Sequence, residues 1–154
     1  MKKKLITFLL ALTVFVTGSF FMQTDVYAQE VEQDVDFSSL LTEDALIGYA
    51  QLTTRGVYLT EGVSVINDAG GGKIGAGGIT NAAVRCTVSC NSIVERKEGS
   101  SWYRVTSWTT RNTNAYTAVV SKTLSVTSGY WYRVRSEHSA GTDASSSYTA
   151  SLWM

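Results

Sequence analysis

Apolar and polar residues alternate with a period of two through most of this chain. Val84, Cys86, Val88 and Cys90 interleave with Arg85, Thr87 and Ser89, and Tyr130, Tyr132 and Val134 interleave with Trp131, Arg133 and Arg135. Such a period places one side-chain set on each face of a half-buried strand. Val63 to Ile66 and Lys73 to Thr80 flank Asn67-Asp68-Ala69-Gly70-Gly71-Gly72, which predicts a hairpin. Ala83 to Lys97 reads as one bent strand or two, and Glu98 to Ser101 turns the chain into a strand over Trp102 to Thr109. A polar loop is expected at Thr110 to Asn114. Tyr116, Ala118, Val120, Leu124 and Val126 then share one parity with Lys122 as the exception, and Thr127-Ser128-Gly129 breaks the chain again. The strand from Tyr130, a Ser- and Gly-rich loop over Ala140 to Ser147, and a last strand from Tyr148 to Trp153 complete the pattern. Seven to eight short strands with a turn signal about every ten residues predict an all-β fold, an antiparallel two-sheet sandwich. Proline is absent, so edge strands must be protected by charge.

Ahead of this body the pattern changes. Lys2, Lys3 and Lys4 precede an apolar run from Leu5 to Met22, and Val26-Tyr27-Ala28 supplies small residues at the minus-three and minus-one positions of a cleavage site. This is the form of a signal peptide, residues 1–28, cleaved between Ala28 and Gln29. The alternative is an uncleaved anchor, because the run approaches the ~20 residues that span a bilayer. An extracellular, secreted location is expected, with no membrane association once the signal is removed.

Charge subdivides the remainder. Glu30, Glu32, Asp34, Asp36, Glu43 and Asp44 fall in a stretch without a base, so residues 29–47 read as an acidic, mobile spacer before a β-domain at 48–154. Phe37, Leu40 and Leu41 leave room for a short helix laid on the domain, capped from Thr42-Glu43-Asp44. From Ala45 onward ten Lys and Arg face six Asp and Glu, too small and scattered an excess to suggest a nucleic-acid partner.

Chemistry-bearing residues are few. Cys86 and Cys90, four apart in a strand, would be separated by roughly 13 Å, whereas a disulfide needs under about 7 Å, so both are expected as free thiols. With His138 they cannot close a tetrahedral metal shell, and neither a metal nor another cofactor is expected. Gly70, Gly72 and Gly75 match a G-x-G-x-x-G string, but a phosphate-binding loop needs a following helix, and these read as turn and bulge glycines. His138 is the sole imidazole, and no serine is singled out as its partner, so no catalytic residue is assigned and a small hydrolase is the weakest reading. Glu95 and Glu98 read as solubilising surface charge.

The most suggestive feature is a repeated Trp-Tyr-Arg-Val, at Trp102 to Val105 and Trp131 to Val134. Alternation sends Tyr and Val inward, and puts Trp131, Arg133 and Arg135 on one outer face and Trp102, Arg104 and Trp108 on another. Indole faces beside guanidinium groups suit sugar rings or anionic polymers, making Trp131, Arg133 and Arg135 the candidate ligand-binding residues, with a cell-wall or extracellular polymer or a protein as partner. Two other readings stay open: cross-strand packing of the same side chains, and a structural component that self-associates through its strand edges.

The segment Leu124 to Val134 resembles the end of a fibronectin type III or immunoglobulin-like module, in which a Leu six residues before a corner Tyr is followed by Tyr-x-Val. That resemblance implies a corner at Tyr130 whose hydroxyl bonds nearby backbone, with Val126 where the family has Pro. As a whole, the body is similar to a family of small exported proteins from Gram-positive bacteria whose domain has no assigned function. The strings Arg55-Gly56-Val57-Tyr58-Leu59, Gly72-Lys73-Ile74-Gly75, Ala76-Gly77-Gly78-Ile79-Thr80-Asn81-Ala82, Ile93-Val94-Glu95-Arg96, Ser101-Trp102 and Gly129 to Arg135 carry the likeness. It implies export and a compact β-fold, and assigns no site residue.

Overall fold

The computed structural model describes residues 32–52 and 56–154; the signal segment and the Ala28/Gln29 cleavage site lie outside them. The described chain is all-β apart from one 3-10 turn. Its strands are β1 (Glu32–Asp34), β2 (Leu46–Tyr49), β3 (Leu59–Gly70), β4 (Lys73–Glu98), β5 (Ser101–Ser125), β6 (Trp131–Ala140), β7 (Asp143–Tyr148) and β8 (Leu152–Trp153), with the turn at Phe37–Leu40. They form one eight-stranded sheet in which every pairing is antiparallel.

Two very long strands replace four expected short ones. The residues at Thr110 to Asn112, expected in a loop, continue the ladder against Cys90, Ser89 and Val88, which satisfies their backbone groups while their polar side chains meet solvent. Along β4 the neighbour on one side changes: residues up to Ala82 pair with β3, and Val88 to Arg96 pair with β6. At the changeover the register slips. Ala82 to Arg85 stand against Tyr116 alone, and Asn114 takes a positive φ of 51°. Extra residues in one strand bend the pair, and the slip carries Val84 out to solvent, against its inward parity.

The bend lays β3 against β6 and β7. Ile66, Ile74, Ala76, Val94, Leu124, Tyr132 and Val134 form one buried cluster, and Leu59, Ala82, Val88, Cys90, Ala118, Val120 and Ala140 form another. Each draws on both halves of the sheet. Trp108 packs against both. Asp143, in the β6–β7 corner, accepts hydrogen bonds from the backbone N–H of Leu59 (3.0 Å) and Tyr58 (2.7 Å), fixing the start of β3, and these bonds hold its carboxyl below its ordinary pKa. Cys86 and Cys90 are free thiols, and burial pushes the Cys90 thiol up.

From Glu32 onward the acidic segment is not a spacer. β1 pairs with β5, β2 with β3, and the boundary expected at residue 48 falls inside β2. What orders it is Leu40, 1 % exposed, which joins Val63 and Val65 in a third cluster with Val35, Phe37, Ala45 and Ile79 packed around them. The turn is capped from Asp36, whose carboxylate accepts from Ser38 N–H at 2.9 Å, and not from Thr42-Glu43-Asp44. Glycine makes the seat. A Cβ on Gly75 or Gly77 would stand 2.8 or 2.9 Å from the Leu40 methyls, so this part of the glycine-rich string is a docking groove, while Gly70, Gly71 and Gly72 take positive φ in the hairpin turn. Asn67 completes the attachment by donating to Leu40 O (3.0 Å) and accepting from Gly75 N–H (3.1 Å). Two of the acidic residues, Glu32 and Asp34, are drawn to Lys122, at 3.0 and 2.7 Å.

The corner also moves. The hydroxyl that reaches backbone is that of Tyr132, donating to Thr127 O at 2.8 Å, while the Tyr130 ring lies under the Arg96 guanidinium, 4.5 Å from its centroid. Tyr132 is on the buried parity of β6 and Tyr130 precedes the strand, so only Tyr132 projects back beneath the Thr127 turn.

Candidate aromatic and arginine face

Strand β6 alternates without interruption. Tyr132, Val134, Ser136, His138 and Ala140 are buried, and Trp131, Arg133 and Arg135 lie on the opposite face, as the period predicts. The neighbouring strands put Glu95 of β4 and Arg104 of β5 in register with Arg133, Tyr148 of β7 with Arg135, and Trp153 of β8 with Trp131. The three candidate residues are therefore brought together with these four partners on one outer surface.

Glu95 organises the centre. It is 9 % exposed, not the surface charge its sequence context suggests, and it accepts from Arg133 Nε at 2.6 Å and Arg135 Nε at 3.4 Å. Arg135 also donates to Glu137 at 2.6 Å. The Glu137 carboxyl is held below its ordinary pKa first by a hydrogen bond from Asn91, and also by Arg135. The Arg133 guanidinium lies 4.2 Å from the Trp102 ring centroid and 5.3 Å from that of Tyr148. Its charge is thus neutralised and its planar surface covered: Arg133 is a brace between two rings. Cation–π contacts of this half-exposed kind are worth about 0.5 to 1 kcal/mol each.

Trp131 is different. It is 44 % exposed and meets Trp153, 54 % exposed, edge to face with centroids 5.3 Å apart. Beside them the β4–β5 hairpin tip and Tyr130 enclose an open cleft of about 750 Å³ that Arg96 and Lys97 also line. Arg96 is paired with Glu98, whereas Lys97 has no ion pair among the described residues. At the other end of the face, Tyr148 and Tyr49 border a second open depression of about 650 Å³ with Ser145 and Ser146.

Alternation alone did not find Glu95, Lys97, Tyr148 or Trp153, because their membership depends on which strands lie side by side. It also misassigned Tyr103 of the first Trp-Tyr-Arg-Val copy and Trp108 beyond it. Register slips between Val94 and Glu95, where Val105 is the extra residue on β5, so Trp102 and Arg104 stay outward and Trp108 turns into the core. Tyr103, on the inward parity, lies beyond the core at the hairpin tip and is 53 % exposed.

His138 lies on the buried side of the same strand. Its Nε2 is 2.8 Å from Ser147 Oγ and its Nδ1 is 2.8 Å from Thr80 Oγ1, and Ser147 Oγ is 2.6 Å from Ser64 Oγ. The spacing singles out Ser147, which the sequence could not. Both imidazole nitrogens meet hydroxyls and neither meets a carboxylate, and the ring is 1 % exposed. These residues come from β3, β4, β6 and β7, so the network ties the two halves of the bent sheet together through fully partnered polar groups. Burial lowers the His138 pKa to about 4, so the ring is neutral at physiological pH.

Among the described residues no helix is long and apolar enough to cross a membrane, and no group of three or more His, Cys, Asp or Glu could hold a metal ion. Comparison with known proteins gives no matching family model, no matching curated protein and no matching solved structure.

Proposed function

We propose that this is an exported, non-enzymatic binding domain that recognises a cell-wall or extracellular polymer or protein through the outer face carrying Trp131, Arg133 and Arg135. The supporting observation is the pair of exposed indoles, Trp131 and Trp153, fixed on a braced surface at the edge of an open cleft. On the outer face of β3 and β4 the chain covers its own apolar residues with Leu40; on the outer face around β6 the aromatics Trp131, Trp153 and Tyr148 are left to solvent. Exposed aromatics held in fixed positions suit recognition at low entropic cost. The proposal extends to the fold and address. The bent sheet is taken as an immunoglobulin-like sandwich whose layers share β4 and β5, and the chain as secreted after cleavage at Ala28, within the family of exported Gram-positive proteins it resembles.

The test is sedimentation of the purified protein with isolated Gram-positive cell walls, comparing wild type with Trp131→Ala. The expected result is binding by wild type, at least about tenfold weaker binding by the variant, and a stability loss of about 1 kcal/mol or less, as suits a largely exposed side chain. A large stability loss with intact binding would show that Trp131 only packs.

A second reading rests on its own observation. Between Ser101 and Ala115, β5 pairs with β4 on one side and with no other described strand, a long proline-free edge. Such an edge can accept a strand from a second copy, which is the self-associating structural role. Concentration-dependent sedimentation, reversed by Thr110→Pro, would favour it.

A further inference from the structure

The two depressions at the ends of the outer face belong to one surface, and their chemistry narrows the ligand. Trp131 and Arg135 are four residues apart along β6, roughly 13 Å, and Tyr148 is the register partner of Arg135. No single sugar ring can touch both Trp131 and Tyr148. Between them the surface is continuous, because Arg133 bridges Trp102 and Tyr148. The end near Trp131 offers two exposed indoles and Lys97, which has no ion pair among the described residues; the end near Tyr148 offers the exposed Tyr49 and Tyr148 with the exposed Ser146, which are rings and hydroxyls without a charge. Among the described residues, Lys97, Arg104, Arg133 and Arg135 are opposed on this surface by Glu95 and Glu137, so the face carries excess positive charge. Stacking planes spaced along a strand, hydroxyl partners and surplus cations together match a chain of linked rings that bears negative charge.

We propose that the ligand is an acidic polysaccharide, bound as an extended chain from the Trp131–Trp153 cleft past Arg133 to the Tyr148–Tyr49 depression. This rests on the binding role proposed above and adds to it a ligand class and a second contact region. Linked rings that reach both ends engage them with the effective concentration of a tethered ligand, so affinity rises with chain length. Lys97 supplies a charge contact that salt screens.

The probe is oligogalacturonate, titrated against the purified protein by tryptophan fluorescence and calorimetry. The octamer should bind at least about tenfold more tightly than the dimer and than neutral malto-octaose, a factor that one additional stacking contact supplies. Trp131→Ala and Tyr148→Ala should each weaken octamer binding about tenfold, and Lys97→Gln should flatten its salt dependence. Because Tyr148 also touches Arg133, Tyr49→Ala is the companion variant, and it should reproduce the Tyr148 loss with an unchanged melting transition. Equal affinity for dimer and octamer, or loss in Trp131→Ala with none in Tyr148→Ala and Tyr49→Ala, overturns the extended path while leaving a binding role for Trp131 on cell walls. Failure of the octamer to bind while walls are bound rejects the acidic-polysaccharide assignment and favours a protein partner. Wall binding untouched by Trp131→Ala overturns both readings.

Discussion

The tetrapeptide Trp-Tyr-Arg-Val occurs in β5 and in β6, and the two copies come to different ends. In β6, Tyr132 is 1 % exposed, its ring in the core and its hydroxyl on Thr127 O, and the inward parity continues through Val134, Ser136 and His138 to Ala140. In β5, Tyr103 stands at a hairpin tip, 53 % exposed, and two residues after it Val105 falls out of register, so the following Trp108 faces inward. Identical local sequence fixes a strand and its alternation in both copies. What differs is whether the ladder alongside stays in step, and whether the strand overlies the other half of the sheet at that point.

The largest effect should come from truncating the two tyrosines. Tyr132→Ala empties a fully buried site and is expected to cost about 3 to 5 kcal/mol, read as a shift in the urea midpoint, while Tyr103→Ala should cost under about 0.5 kcal/mol. Similar losses in the two variants would mean that the first copy is also packed in the core.

A second contrast lies within β6, between its buried and exposed rows. His138 has its pKa lowered to about 4 by burial, against about 6.5 when unfolded. The unfolded chain therefore binds the extra proton first as pH falls. This stabilising contribution is present in full above about pH 6.5, is lost progressively down to about pH 4, and amounts to about 3 kcal/mol. Urea midpoints at pH 7.5 and 4.5 should show most of that loss in wild type and a smaller one in His138→Gln, for which the imidazole contribution is gone. A pH profile that His138→Gln leaves unchanged would place the sensitivity elsewhere.

The smallest difference separates the two tyrosine hydroxyls at the start of β6. Tyr132→Phe should destabilise by about 1 kcal/mol, the usual net value of one hydrogen bond, and Tyr130→Phe by less, because it is the Tyr132 hydroxyl that bonds the turn. The reverse ranking would restore Tyr130 as the corner. Thiol labelling sharpens the same inside-outside distinction on β4: the half-buried Cys86 should react in the native state well before the fully buried Cys90.

Several features of the fold could be read directly from residues. The hairpin around Gly70 to Gly72, the turn at Gly99, the break at Thr127 to Gly129 and the inward row of β6 are all local consequences of backbone preference and period-two patterning. The acidic lead was misread because its run of carboxylates without a base masked its apolar residues, among which Leu40 finds a seat shaped by Gly75 and Gly77. Thr110 to Asn112 were misread because polar residues suit a loop and a solvent-facing strand edge equally. Of the candidate face, Trp131, Arg133 and Arg135 were legible as a row. Whether that row was paired, covered or open was not.

By itself, then, the sequence determined the all-β class, the main turns, the outward row of Trp131, Arg133 and Arg135, and two thiols too far apart along a strand to bridge, since each of these depends on residues a few positions from one another. Only the tertiary structure decided that Glu95 pairs with both Arg133 and Arg135, that Trp153 and Tyr148 join the face, that Trp108 turns inward, and that Ser147 meets His138. Those outcomes depend on strand order and register, which are set where the slips opposite Tyr116 and at Val105 bend the two long strands. A bulge changes the facing of every residue beyond it, and the local pattern carries no mark of where the partner strand will fall out of step.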